Sequence, residues 1–428
     1  MSTRLFHNVR ILVPGHSEPR PIDLRVADGI IHTVAADLAP EPGDEILDGR
    51  GAILLPALCD AHVHIREPGH EDAETIESAT EAAAAGGFSR ILAMPNTDPP
   101  IDTGGMVGFM QSMAERRGRI PVSVAGCLTK GREGAKLAEI ADMADQGAVM
   151  VTDCNHALQD AYVLRRALEY TRHFNMVVGV YPDTPALSKG GVMHEGSESF
   201  RLGLPGIPAM AEEIGIERDL RVAAAVGGRI HIQNVSTAGG VESIRRWKTR
   251  GVQVTAETTP HHLLLNHTQL GKYNTHCKMM PPLRTADDQQ ALLEGLLDGT
   301  LDMIATGHAP HTDFAKNLDF NHAPFGIIGL ETALPALHTH LILTGKLTWE
   351  RLCELFSDAP RKLLNLPAIR LEAGQPLEAI LFDPAAENTI TRATLKSRSF
   401  NTPWLNQTLR GRVQALYLPS GAVYPQPS

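Results

Sequence analysis

Gly51-Ala-Ile-Leu-Leu-Pro-Ala-Leu-Cys-Asp-Ala-His-Val-His64, continued by Ile65-Arg-Glu-Pro-Gly69, is an apolar run that closes on two histidines one residue apart. Side chains on a strand alternate with period two, so His62 and His64 point to the same side of a strand end. Two imidazole nitrogens converging there make half of a divalent-metal site, with zinc the expected ion. The rest of the chain should then supply the remaining ligands.

Outward from this stretch, short apolar runs recur at 53–58, 89–95, 122–126, 148–152, 176–181, 229–235, 252–257 and 301–306. Helix-like segments lie between them at 76–85, 135–145, 161–173, 209–226, 240–249 and 287–297. Eight strands alternating with helices predict a (β/α)₈ TIM-like barrel over 53–369, with its site at the C-terminal strand ends. A doubly wound sheet is the competitor, but no GxGxxG follows the first run. Residues 1–52 and 370–428 instead alternate like short strands. Their punctuation is Pro14-Gly15, Asp28-Gly29, Gly374, Asp383-Pro384 and Pro419-Ser420-Gly421. The two flanks are expected to pair into one small β-sandwich domain.

Composition excludes several classes. The 428 residues are 43% hydrophobic and 21% charged, an ordinary globular balance. A formal charge of −10 argues against nucleic acid or an anionic membrane as partner. Five cysteines, with no CxxC pair, suit free thiols in a reducing cytoplasm. No signal-like segment or long apolar run is present, which predicts neither export nor membrane spanning.

The expected strand ends carry the chemistry. Strand one offers His62, His64 and Arg66, strand two Asn96, and strand four Asp153, a carboxylate able to ligate one metal or bridge two. Strand seven leads into His261-His262, and strand eight into Gly307-His308-Ala309-Pro310-His311. Strands five, six and eight end in Val180, Asn234 and Gly307. Val has no donor atom, Gly has no side chain, and Asn is a weak neutral ligand. Cys154, His156 and His308 are the remaining donors that could complete a site. His261-His262 reads as a structural turn, and Ala82–Ala85 as tight helix packing.

A set of motifs now carries a family resemblance. Asp60-Ala-His-Val-His-Ile-Arg-Glu-Pro-Gly69, Ala82-Ala-Ala-Ala-Gly-Gly-Phe88, Met94-Pro-Asn-Thr97 and Gly203-Leu-Pro-Gly-Ile-Pro208 belong to it. So do Val235-Ser-Thr237, Thr259-Pro-His-His-Leu263, Pro281-Pro-Leu-Arg284, Pro324-Phe-Gly-Ile-Ile-Gly-Leu-Glu-Thr332 and Asn401-Thr-Pro403. Together they resemble class I dihydroorotases of the amidohydrolase superfamily. The resemblance implies a metal-bearing barrel that interconverts N-carbamoyl-aspartate and dihydroorotate in pyrimidine biosynthesis.

Residue by residue, the resemblance makes His62, His64 and Asp153 metal ligands. It makes Arg66, Asn96 and His311 the grip on the substrate carboxylate. Val180 and Asn234 stand where the family has histidine ligands, and Gly307 where it has an aspartate that serves as ligand and general base. Met280 replaces an asparagine, and Cys154-Asn155 replaces Asp-Gly. A missing general base alone costs about 10²–10⁴ in rate. The favoured expectation is a catalytically inactive homologue in a homo- or hetero-oligomer, acting as a structural subunit of aspartate carbamoyltransferase. The competing expectation is an active zinc-dependent dihydroorotase with a rebuilt, mononuclear site.

Overall fold

The first barrel strand starts later than the apolar run does. In the computed structural model, Ile53–Pro56 pairs antiparallel with Ala379–Thr389, Ile53 opposite Phe382 and Pro56 opposite Ala379. Only after Pro56 does the chain enter the barrel, as Leu58–Val63. The expected strand 53–58 is therefore divided between two sheets. Hydrophobicity is continuous across the break because both sheets bury this segment. The structure describes residues 3–13 and 15–425, and Pro14 of the first turn signal lies outside them.

Eight parallel strands follow in sequential order: Leu58–Val63, Phe88–Ala93, Val122–Gly126, Met150–Thr152, Val177–Val180, Ile230–Ile232, Val254–Thr258 and Met303–Ile304. A parallel bridge between Val63 and His308, with His64 N donating to His308 O at 2.9 Å, joins the last strand's exit to the first. The Asp60 carboxylate reinforces this seam, accepting from Thr306 N at 3.1 Å and from the Thr306 hydroxyl. The result is the expected α/β barrel, closed at its mouth.

The barrel helices begin on short polar caps. Thr75, Thr103, Thr237 and Thr285 each accept from the backbone N–H three residues on. Each such cap contributes about 1 kcal/mol. The expected helix 135–145 is helical only over Ile140–Asp145. Gly131 and Gly134 take positive φ, and the preceding residues instead form a loop bridged between Thr129 and Leu137. Ala82, Ala83 and Ala84 are buried, as the alanine run predicts. The reason is close approach: a Cβ on Gly86 would lie 2.1 Å from Leu330 O.

The termini build two further sheets. One orders Ile30–Ala35, Asp23–Ala27, Thr3–His7 and Asp44–Asp48. The other orders Gly421–Tyr424, Thr408–Leu418, Ala379–Thr389, Ile53–Pro56, Arg10–Ile11 and Arg20–Pro21. Phe6 and Tyr417 pack edge to face across them, ring centres 5.0 Å apart. Among the described residues no helix is long and apolar enough to cross a membrane.

Candidate metal centre at the barrel mouth

His62 and His64 leave the first strand on the same side, as their spacing demands, and both are buried. Each ring is held by its inner nitrogen. Nδ1 of His62 lies 2.5 Å from Glu257 Oε1, and Nδ1 of His64 lies 2.7 Å from Asn96 Oδ1. Both partners are oxygen acceptors, so each Nδ1 carries a proton and Nε2 is the nitrogen left for a ligand. Burial opposes the charged form of His62, but Cys154 and Glu257 outweigh it and hold this ring well above the usual imidazole range, so an ion would displace its Nε2 proton. Burial first, then the positive fields of Arg66 and His62, hold His64 well below the usual imidazole range.

Glu257 is the hub of a buried polar chain. Its second oxygen meets His231 Nε2 at 3.1 Å, and His231 Nδ1 meets Thr255 Oγ1 at 2.9 Å. Burial alone would raise this carboxyl, but the adjoining His62 and His231 outweigh it and hold it at about 2. Neither Glu257 nor His231 was singled out by the sequence. Their signal was a Glu and a His inside two apolar strands, where an unpaired charge is costly.

Asp153, the expected third ligand, points elsewhere. Its Oδ1 accepts from Thr129 N at 2.9 Å and its Oδ2 from the Thr129 hydroxyl at 2.5 Å. The next residue takes the position instead: Cys154 Sγ lies 3.2 Å from His62 Nε2. Donor atoms of His62, His64 and Cys154 all lie within 4.8 Å of one another. Alternation explains the exchange. Thr152 Oγ1 bonds Gln233 Oε1 across the barrel interior at 2.8 Å, so Thr152 and Cys154 face inward while Asp153 faces the Thr129 loop.

The other expected residues divide. Asn96 orients His64. Arg66 donates from Nε to Pro310 O at 3.1 Å, and burial lowers its guanidinium only to about 10, so it remains a cation. His311 donates from Nε2 to Phe325 O at 2.8 Å. Burial, then Arg66 and Lys316, push His311 down to about 3, so at neutral pH Arg66 is the charged member of this trio. His156 contacts Arg132 O at 3.2 Å on the exposed side. His308 faces Glu74 at 3.3 Å and accepts from Gly329 N at 3.2 Å. Neither joins the cluster. His262 is tied to Thr259 Oγ1 at 2.8 Å and Pro281 O at 2.9 Å, the structural turn its sequence suggests.

On the far side of the mouth the expected ligand positions carry Val180, Asn234 and Gly307, none of them anionic. Val180 packs into the apolar core. A Cβ on Gly307 would lie 3.5 Å from Asn234 Oδ1 and 3.7 Å from His261 Cε1. Asn234 Oδ1 and His261 Nε2 are buried without a hydrogen-bond partner. The donors present therefore fit one ion, held by His62, His64 and Cys154. They do not fit a pair, since the Asp153 carboxylate is engaged by Thr129 and no acidic side chain stands at 307.

Comparisons agree with this architecture. The dihydroorotase of Syntrophotalea carbinolica is 42% identical over 408 residues, covering 95% of this chain and 96% of its own. That of Pelobacter propionicus is 42% identical, covering 98% and 99%, and that of Streptomyces coelicolor 41%, covering 98% and 97%. Among solved structures, L-hydantoinase (dihydropyrimidinase) from Arthrobacter aurescens superposes with a TM-score of 0.85 over 99% of this chain and 96% of its own. At 24% identity that likeness establishes the fold alone. Residues 51–239 match the family profile described as Dihydro-orotase-like. With full-length relatives at this identity and the histidine pair at the mouth of the same barrel, the chain belongs to the dihydroorotase family.

Proposed function

We propose that the chain is a cyclic amide hydrolase of pyrimidine biosynthesis, interconverting N-carbamoyl-aspartate and dihydroorotate at a single-ion site. The observation that carries the reading is the convergence of two oriented imidazoles and a thiol at the barrel mouth. His62, His64 and Cys154 would hold zinc, which when bound would supply Lewis-acid chemistry toward the ring carbonyl. Arg66 provides the fixed positive charge for the substrate carboxylate, with Asn96 and His311 shaping its surroundings. Burial keeps bulk water from screening that charge. The relatives' names support the reading, since they are called dihydroorotase.

The test is dihydroorotate turnover by zinc-loaded protein. Zinc-dependent turnover is expected, slower by about 10²–10⁴ than in a family member with a carboxylate base. Turnover indistinguishable from the metal-free background defeats the proposal.

One observation favours a second reading, the non-catalytic subunit. The two positions expected to carry a carboxylate supply no free base: Asp153 is held by Thr129 and residue 307 is glycine. In that case the chain is a cytoplasmic structural partner of aspartate carbamoyltransferase. Native co-purification decides it: the reading fails if the carbamoyltransferase elutes alone and fully active.

A further inference from the structure

We infer that Cys154 converts this mouth into a one-ion, sulfur-ligated centre that selects thiophilic, four-coordinate metals over hard, six-coordinate ones. The inference deepens the metal assignment in the proposed function, yet it concerns binding and stands whether or not the chain turns over substrate.

Three facts carry it. First, the geometry suits a tetrahedral ion. Ligand atoms around tetrahedral zinc stand about 3.3–3.6 Å apart, given bonds of about 2.0–2.3 Å. Cys154 Sγ and His62 Nε2 are already 3.2 Å apart, and all three donors fall within 4.8 Å. Second, both imidazoles are locked through Nδ1 to oxygen acceptors, so their orientation needs no rearrangement when an ion arrives. Third, the carboxylate that would attract a hard cation is turned away. Asp153 has both oxygens on Thr129, and beside Gly307 the buried polar atoms left without a partner are the neutral Asn234 Oδ1 and His261 Nε2.

Ligand softness then sets selectivity. Thiolate and imidazole favour zinc and its spectroscopic substitute cobalt(II), whereas manganese and magnesium need several oxygens in octahedral array. When sulfur joins the ion, the thiol proton passes to solvent. Cys59, Cys127, Cys277 and Cys353 are also free and buried, but among the described residues none of them joins a group of three or more His, Cys or acidic donors placed to share an ion.

The experiment is cobalt(II) titration of metal-free protein, followed by absorption. The expected result is one equivalent bound, with a near-ultraviolet thiolate-to-cobalt band and intense tetrahedral ligand-field bands. Cys154→Ser should abolish the thiolate band and weaken binding at least tenfold. Asp153→Asn should leave band and stoichiometry as in the parent. Circular dichroism identifies a variant that fails to fold. The second measurement needs no variant: manganese added to the parent should keep the electron paramagnetic resonance spectrum of the free ion.

Two equivalents of cobalt, a band that survives Cys154→Ser, loss of binding in Asp153→Asn, or manganese held as tightly as zinc would each overturn the inference. A thiolate band without dihydroorotate turnover removes the catalytic reading and keeps this one. Turnover without the band does the reverse.

Discussion

Cys154 Sγ stands 3.2 Å from His62 Nε2, while the carboxylate of the preceding residue is spent on Thr129. One step along the chain thus exchanges a hard oxygen donor for a soft sulfur donor at the mouth. The side facing Gly307 keeps two buried polar atoms with no partner.

Glu257 holds a proton on His62 Nδ1, so that Nε2 is the nitrogen an ion would take. A glutamine there presents an NH₂ group toward Nδ1 and favours the other tautomer, with the proton on Nε2 where an ion would bind. Glu257→Gln should lower zinc affinity by about 10–100-fold, the usual scale for losing a ligand's orienting partner. Competition with a chromophoric chelator measures it, and unchanged affinity would show that His62 is oriented by something else.

Thr129→Val removes the hydroxyl that bonds Asp153 and also accepts from Gly134 N at 2.8 Å. A buried acceptor left short of a donor costs about 1–3 kcal/mol, so the urea midpoint should fall. Zinc stoichiometry should not change if Asp153 is structural.

Restoring donors tests the deficit on the far side. Gly307 has φ 57°, a conformation an aspartate tolerates at a cost of about 1–2 kcal/mol. Gly307→Asp combined with Val180→His and Asn234→His should raise metal content above one ion per chain, read by elemental analysis. Content fixed at one ion would place the second site's loss elsewhere.

Arg66→Met should weaken dihydroorotate binding by about 10–150-fold, the range for losing a charge-assisted hydrogen bond. Because burial holds His311 near 3, it stays neutral from pH 5.5 to pH 8, and the parent's affinity should be flat there as far as His311 is concerned. Calorimetric titration checks both. An affinity that falls across that window in the parent, yet not in His311→Asn, would contradict the neutral imidazole.

Lys316 gives a pH dependence of stability. Its ammonium is buried against Pro324 O at 2.9 Å and Gly326 O at 3.1 Å. Burial, then the charge of Lys278, lowers it from 10.5 to about 7. The unfolded chain therefore binds the extra proton between about pH 7 and pH 10.5, and stability must rise with pH across that window. Below about 7 both states are protonated and the penalty is complete. Relative to Lys316→Met, the parent should gain up to about 1.4 kcal/mol per pH unit within it. Parallel profiles for the two proteins would refute the shift.

Sequence alone determined the barrel, because short apolar runs alternating with helical stretches have few ways to bury their apolar faces. It also determined the inward pair His62 and His64, since local strand geometry fixes both. Tertiary structure decided the rest. Which of Asp153 and Cys154 faces inward depends on where the three-residue strand Met150–Thr152 seats Thr152 against Gln233, a contact 81 positions away. The split of residues 53–58 between two sheets depends on a partner strand beginning at Ala379. Glu257 became the hub of the site only once three strands brought His62 and His231 to it, because long-range pairing leaves no trace in local spacing.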